Sequence, residues 1–365
     1  TTIMVNWFRD KKPVTGNHRI SFKSGILGRW AKKLKNINKN KRKKQPITTI
    51  PHRRTTTATT TTKQPSIVST RGHFSLLTGK LIFLHNANDC DYYRMSKLSR
   101  NYYLGGGELV MYIHGVWVDQ YSAKEQVDRT SLSLAANGCH IPIMGFSWDS
   151  NTSVNQIGWG IAKSIASQNG LKLAKFISDF KTVYQDVNIR IIAHSLGAKV
   201  VESALIALDK NNNKRTRNKH IPYYIASIHL MGAAINDTST SKDTVFGNAI
   251  ENTVNRFYNL YNPEDNALKR TYVNTENLNP LGLYGIRKGE PSPANYAERN
   301  VKFEIPPLKR ASGLYQSFCD KAVYGWGDNH CGYIGFREPY PFNRFLKDDG
   351  AINVIVDDWR REYDI

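Results

Sequence analysis

A mostly parallel β-sheet with helices on both faces, an α/β fold, is what this chain predicts, because apolar strand-like runs alternate with longer amphipathic segments. An apolar content of 40% over 365 residues is enough for a sizeable core. The charge is segregated. Residues 1–75 hold 18 Lys/Arg against Asp10 alone, a net +17, and the remainder carries only +4 of the total +21. Basicity therefore belongs to an arm, and the body is nearly balanced.

Residues 1–66 are expected to be a disordered arm and linker, and 67–365 the folded domain. The stretch from Lys32 to Arg54 is rich in Lys and Asn, and a threonine run from Thr55 to Thr62 is broken only by Ala58. Such a segment buries too little apolar surface to offset its ordering entropy. Ile26, Leu27, Trp30, Ala31 and Leu34 have the spacing of a short amphipathic helix within it. Ile3-Met4-Val5 and Trp7-Phe8 are too short for a secretory signal, and no run of about 18 apolar residues predicts a spanning helix.

In the body, strands are predicted at 73–77, 80–85, 109–114, 142–147, 188–194, 224–231 and 254–260. Helices are predicted at 122–137, 156–184 and 196–209, the second with a break near Asn169-Gly170, and weaker ones near 244–252 and 341–348. Cys90, Cys139, Cys319 and Cys331 lack the paired spacing of metal sites and are too few for a disulfide scaffold, so reduced thiols and a cytoplasmic setting are the default. No metal and no cofactor are expected.

The chemistry centres on Ala193-His194-Ser195-Leu196-Gly197, where an apolar strand turns directly into a helix. Small residues flank the serine because it sits on a strained turn, and the helix start aims backbone N–H groups at the reacting oxygen. A serine needs a base, and the base needs an orienting acid, which follow such an elbow in the order acid, then histidine. After the strand ending at Tyr261, the loop Asn262-Pro263-Glu264-Asp265-Asn266 supplies the acid: Asp265 is the choice, Glu264 the reserve. The competing reading is an acid that only caps the following helix.

Chain position removes most of the ten histidines. His18 and His52 fall in the arm, and His73, His85, His140 and His220 precede the acid. His194 sits on the elbow pointing away from the serine, and His229 lies mid-strand as a core histidine. His330, in the glycine-rich loop Gly327-Asp-Asn-His-Cys-Gly-Tyr333, is the expected general base. The strand 109–114 runs into His114-Gly115-Val116-Trp117, which places a backbone donor near the elbow. The oxyanion hole is assigned to the amides of Val116 and Leu196, with His114 bracing the loop. Trp117 and Trp148 are the expected substrate contacts, and Trp159, Tyr261 and Tyr284 further candidates for an apolar acyl pocket.

With Tyr-Ile-His-Gly, Gly145-Phe-Ser-Trp-Asp-Ser150, Ala-His-Ser-Leu-Gly, Tyr-Asn-Pro-Glu-Asp-Asn-Ala-Leu and the late His330 in one order, residues 105–336 resemble α/β-hydrolases. More narrowly, they resemble the prokaryotic branch catalogued as a domain of unknown function and marked by a Phe-Ser-Trp-Pro-Ser segment, with Asp149 where that branch has proline. The resemblance implies a Ser195, Asp265, His330 triad and an esterase-like or lipase-like activity. It fixes no substrate, since one scaffold serves esters, lactones, thioesters and amides. Pro280–Gly285, between acid and base, is expected to shape the pocket or a lid.

The leading expectation is a serine hydrolase acting on a small-molecule or lipid carboxylic ester. The alternative is a non-catalytic hydrolase-fold binding or structural protein, held to nucleic acid or an anionic membrane surface by residues 1–66. The arm lacks aromatics between its most basic residues, Lys39 to Lys44, which disfavours sequence-selective readout.

Overall fold

A computed structural model describes residues 66–82, 93–94, 107–217, 222–305, 330–335 and 350–363. The basic arm before Ser66, the strand positions 83–85, the helix expected at 341–348, Cys90 and Cys319 lie outside the described residues. An eight-stranded sheet forms the centre, in the order β2-β1-β4-β3-β5-β6-β7-β8. Its strands are β1 (Ser66–Ser69), β2 (Tyr93–Arg94), β3 (Glu108–Ile113), β4 (Ile143–Ser147), β5 (Asn188–His194), β6 (Ile225–Met231), β7 (Val254–Tyr261) and β8 (Tyr296–Asn300). Seven of them are parallel, and β2 pairs antiparallel to β1 at the edge. β3 and β5 are buried along nearly their whole length, as expected of parallel strands covered on both faces.

Among the described residues five longer helices cover the sheet: α1 (Gln120–Ala136), α2 (Gln156–Val183), α3 (Gly197–Arg217), α4 (Val245–Thr253) and α5 (Ile352–Tyr363). One core holds buried side chains of α2, α3 and α4 against one face; a second holds those of α1 and α5 against the other. The helix starts are written locally. Asp119 accepts the Ser122 amide at 2.7 Å, Asn155 that of Gly158 at 2.8 Å and Thr244 that of Gly247 at 2.9 Å.

Several expectations are corrected. Helix α2 runs unbroken through Asn169-Gly170: the Asn169 side chain donates to Ile165 O at 2.9 Å and accepts from Thr70 Oγ1. A Cβ on Gly170 would fall 2.3 Å from Ser203 Cβ, so this glycine serves the close α2–α3 packing instead of a break. Helix α3 extends past residue 209 because Asn212 exchanges two hydrogen bonds with the Tyr223 backbone, at 2.8 and 2.9 Å. The described residues of the first two predicted strands form a short hairpin outside the sheet, joined by one bridge between Phe74 and Leu81. Strands β1, β2 and β8 and helix α5 were not expected.

Leu281–Tyr284 is a short helix with Leu281 and Leu283 almost fully buried, tied through Leu281 N–H to Ile235 O at 2.7 Å and Gly282 N–H to Ala233 O at 2.9 Å. It is core, so the pocket or lid reading of Pro280–Gly285 is withdrawn. Cys331 is disulfide-bonded, which corrects the expectation of reduced thiols there; Cys139 is a free thiol. Among the described residues no helix is long and apolar enough to cross a membrane, and no cluster of His, Cys, Asp or Glu has the form of a metal site.

Candidate active site

The site follows from the strand order. Because β3 and β5 are neighbours, with Ile113 opposite Ala193, the turn after β3 and the turn after β5 emerge side by side. β6 intervenes between β5 and β7, so the acid loop after β7 arrives from one strand further along the same edge. This is the carboxyl end of a parallel sheet, where loops converge over the strand ends.

Ser195 sits at φ +55, a left-handed conformation costing a non-glycine residue of order 1–3 kcal/mol. Three backbone hydrogen bonds hold it there: its N–H donates to Met231 O at 2.9 Å, and its carbonyl accepts from Ala198 and Ala234 N–H, each at 3.1 Å. Ala193 is fully buried at the first small position of the elbow. A Cβ on Gly197 would lie 2.7 Å from Ile113 O, and one on Gly115 would lie 2.8 Å from Ser195 Cβ. The two turns thus press against each other at a distance only glycine permits. Among the described residues, the amides of Val116 and Leu196 find no acceptor, leaving two N–H groups unspent, one in the turn after β3 and one directly after the serine.

Asp265 is fully buried. One carboxylate oxygen accepts the Leu268 amide at 2.9 Å, so it does cap the following helical turn; the other accepts from His330 Nδ1 at 2.7 Å. Glu264, the reserve, makes no such contact with His330, its amide instead donating to Asn262 Oδ1 at 2.9 Å. With Nδ1 donating to Asp265, Nε2 of a neutral His330 carries the lone pair, as a general base requires.

His194 takes a part that its position alone did not suggest. Its ring lies 4.7 Å from that of His330, and its Nε2–H donates to the His330 carbonyl at 2.6 Å. The residue before the serine therefore ties down the backbone of His330. Burial, then the neighbouring His330, pushes its pKa down to about 3, so it stays neutral. Tyr333, fully buried, has its phenol held well above the ordinary range by burial and by the Asp265 carboxylate beside it.

His114 braces the turn that follows β3. Its Nδ1 lies 2.9 Å from Gly115 O, and its pKa is held well below the ordinary value by burial and the nearby Arg71. Trp148 does not contact substrate space: it is fully buried, stacked on His114 and donating its indole N–H to His114 O at 2.9 Å. Its size and place beside the elbow suggested a pocket wall, but its indole is needed beneath the turn. Trp117, at φ +58, is only partly buried and leads an aromatic row, with Trp159 at 6.2 Å and Tyr272 a further 6.0 Å on. Tyr284 is exposed on the core-forming helix 281–284, and Trp159 is largely buried, its indole N–H donating to Glu276.

Asp149 gives its carboxylate to the segment after β1, accepting the amides of Gly72 and Phe74, each at 3.0 Å. A proline there could accept neither. The departure from the Phe-Ser-Trp-Pro-Ser pattern is thus matched by a contact of this chain's own.

Residues 102–303 match the family described as α/β hydrolase of unknown function, DUF900. The chain belongs to this family. No curated protein matches it. Solved structures similar to this DUF900 member include the catalytic core of an acetyl xylan esterase from Trichoderma reesei, at 17% identity and TM-score 0.25 over 36% of this chain and 65% of that one. Aspergillus fumigatus lipase B is 11% identical, with TM-score 0.35 over 70% and 62% of the two chains. An alpha-beta serine hydrolase homologue from Coxiella burnetii is 10% identical, with TM-score 0.27 over 53% and 75%. The chain spans 65% and 62% of the first two, and the activities in these names belong to those proteins.

Proposed function

We propose that this DUF900 hydrolase cleaves a carboxylic ester through an acyl-enzyme on Ser195, with His330 as general base and Asp265 as its orienting acid. The observation that carries the reading is the 2.7 Å bond from His330 Nδ1 to a fully buried Asp265, at the same sheet edge as a serine held left-handed beside two unspent amides. In the first half-reaction Ser195 Oγ attacks the ester carbonyl carbon as its proton passes to His330 Nε2. The amides of Val116 and Leu196 take the oxyanion; collapse expels the alcohol, which leaves with that proton. Water then attacks the acyl carbon, giving its proton to His330, and collapse returns Ser195 with its proton and the free acid. The partly buried Trp117, backed by Trp159, supports an apolar or aromatic portion of the substrate.

Ser195→Ala is expected to abolish turnover of short p-nitrophenyl esters and labelling by a fluorophosphonate while the melting midpoint stays in place. Turnover that survives removes Ser195 from the mechanism. A second reading, favoured by the net +17 of residues 1–75, makes the arm a tether to anionic lipid or nucleic acid. Deleting residues 1–65 should then abolish retention on anionic vesicles or duplex DNA without lowering kcat; retention by the truncated chain ends that reading.

A further inference from the structure

Arg71 has no part in the chemistry above, yet its guanidinium bonds to the turn after β3 and to the end of the neighbouring strand β4. Nε donates to Ser147 Oγ at the end of β4, at 2.7 Å. Nη2 donates to Val118 O at 2.9 Å and reaches His114 Nε2 at 3.2 Å. One side chain thus ties the first residue of the turn to the last and anchors both to the adjacent strand. The Trp148 amide faces the same His114 nitrogen at 3.1 Å. A ring nitrogen facing two donors must present its lone pair, so the His114 proton sits on Nδ1 and is donated to Gly115 O.

The consequence lies in peptide geometry. Gly115 C=O and Val116 N–H belong to one planar trans peptide and point in opposite directions. Holding the carbonyl with His114 therefore fixes the amide in the opposite direction, in a turn whose Gly115 lies against Ser195. We propose that Arg71 is a positioning residue for the oxyanion hole, tying both ends of the turn 114–118 and holding His114 on the Gly115 carbonyl so that the Val116 amide is aimed at the developing oxyanion. Asp149 completes the device: by accepting the Gly72 and Phe74 amides it fixes the backbone that carries Arg71. Loss of the guanidinium leaves the Trp148 amide as the one remaining restraint on His114 Nε2, and nothing of Arg71 on Val118 O.

This inference rests on the esterase reading, and the test separates the two. Arg71→Met and Arg71→Lys are compared with wild-type full-length chain on a p-nitrophenyl ester, together with affinity for a trifluoromethyl ketone, which forms a tetrahedral adduct on a catalytic serine. A misaimed amide affects the tetrahedral state and not ground-state binding. Arg71→Met should lower kcat at least tenfold with KM within twofold, and weaken the ketone by the same factor. Arg71→Lys, which keeps charge but not the fork, should recover part of the loss. A kcat within twofold of wild type, or a loss confined to KM, overturns the proposal. Should Arg71→Met not fold, Ser147→Ala decides, since it removes only the Nε acceptor: a kcat loss with KM and ketone affinity splitting as above supports it, and unchanged kcat overturns it. Wild-type turnover that ignores Ser195→Ala refutes the esterase reading and this one together, whereas Ser195-dependent turnover that ignores Arg71 overturns this one alone.

Discussion

The two ends of the sheet bury polar side chains in different ways. At the carboxyl end, each tends to hold a loop backbone: Arg71 the Val118 carbonyl, His114 that of Gly115, His194 that of His330, Asp149 the amides of Gly72 and Phe74. Toward the amino end they hold one another. Arg190 on β5 pairs with Glu108 on β3 at 2.9 Å and Glu362 on α5 at 2.5 Å, and donates to Ser227 on β6 at 2.8 Å. A side chain that fixes a loop sets geometry at a site; a pair that joins a helix to three strands sets stability. Changes at the first end should therefore show in rate, and changes at the second in melting.

Asp265→Asn offers the largest effect on this contrast. An amide can offer Nδ1 its N–H and so favour the wrong tautomer, and kcat should fall by about 10⁴-fold with little change in melting midpoint. Steady-state kinetics beside calorimetry decides it: a fall of less than tenfold would detach Asp265 from the mechanism. Next comes Arg190→Met at the other end. It leaves the buried Glu108 and the partly buried Glu362 without their cation, also loses the 2.8 Å bond to Ser227, and should destabilise by about 3 kcal/mol in urea melts. Its kcat below the transition should match wild type, and a parallel loss of kcat would mean that the two ends are not separable.

His194→Phe returns to the carboxyl end. It removes the 2.6 Å tie to the His330 backbone but leaves the Asp265–His330 bond, so the base keeps its tautomer and loses part of its placement. A displacement of that kind costs up to about 100-fold in kcat. A wild-type rate in the folded variant would show that Asp265 alone positions the imidazole.

The legibility of the sequence divides along the same line. β3, β5, β6 and the elbow were readable because buried parallel strands are continuous apolar runs and because a nucleophile turn needs small residues. Ser195, Asp265 and His330 could be nominated from chain order, since Ser195 follows a predicted strand, Asp265 lies in the loop after another and His330 in a glycine-rich loop, and the structure brings the last two into contact. β8 was missed because Tyr-Ala-Glu-Arg-Asn is a partly exposed edge strand, its Glu298 serving the Ile286 amide and the Tyr296 hydroxyl. Trp148 was misread as a pocket wall, since the same large ring serves a brace or a ligand contact and only the fold distinguishes them. Arg71 stood beyond reach: it is separated from His114 by 43 residues, and no local pattern announces an arginine that acts across three loops. The Asp149 departure was the one available hint, an acid where a proline has no carboxylate to offer.

The smallest effect sharpens the comparison most, because it places one residue type at both ends. His194 lies under the site and His229 is fully buried in the body of the sheet, stacked on Tyr258 at 4.4 Å with Nε2 3.5 Å from Asp358. Both have lowered pKa values, burial being the main cause in each, that of His194 reaching about 3. In the unfolded chain each titrates near the ordinary value of about 6.5, so below that pH the unfolded state binds the extra proton and stability falls as pH drops. Each such histidine contributes about 1.4 kcal/mol per pH unit once the unfolded form is fully charged and until the folded one titrates. Between pH 6 and 5, above the ordinary carboxylate range, His194→Phe should flatten the stability slope by about that amount relative to wild type, and His229→Phe should flatten it in the same direction, whatever their absolute stabilities. Only His194→Phe should also lower kcat. Equal slopes in all three proteins would mean that neither imidazole is held neutral, and a kcat loss in His229→Phe would erase the distinction between the ends.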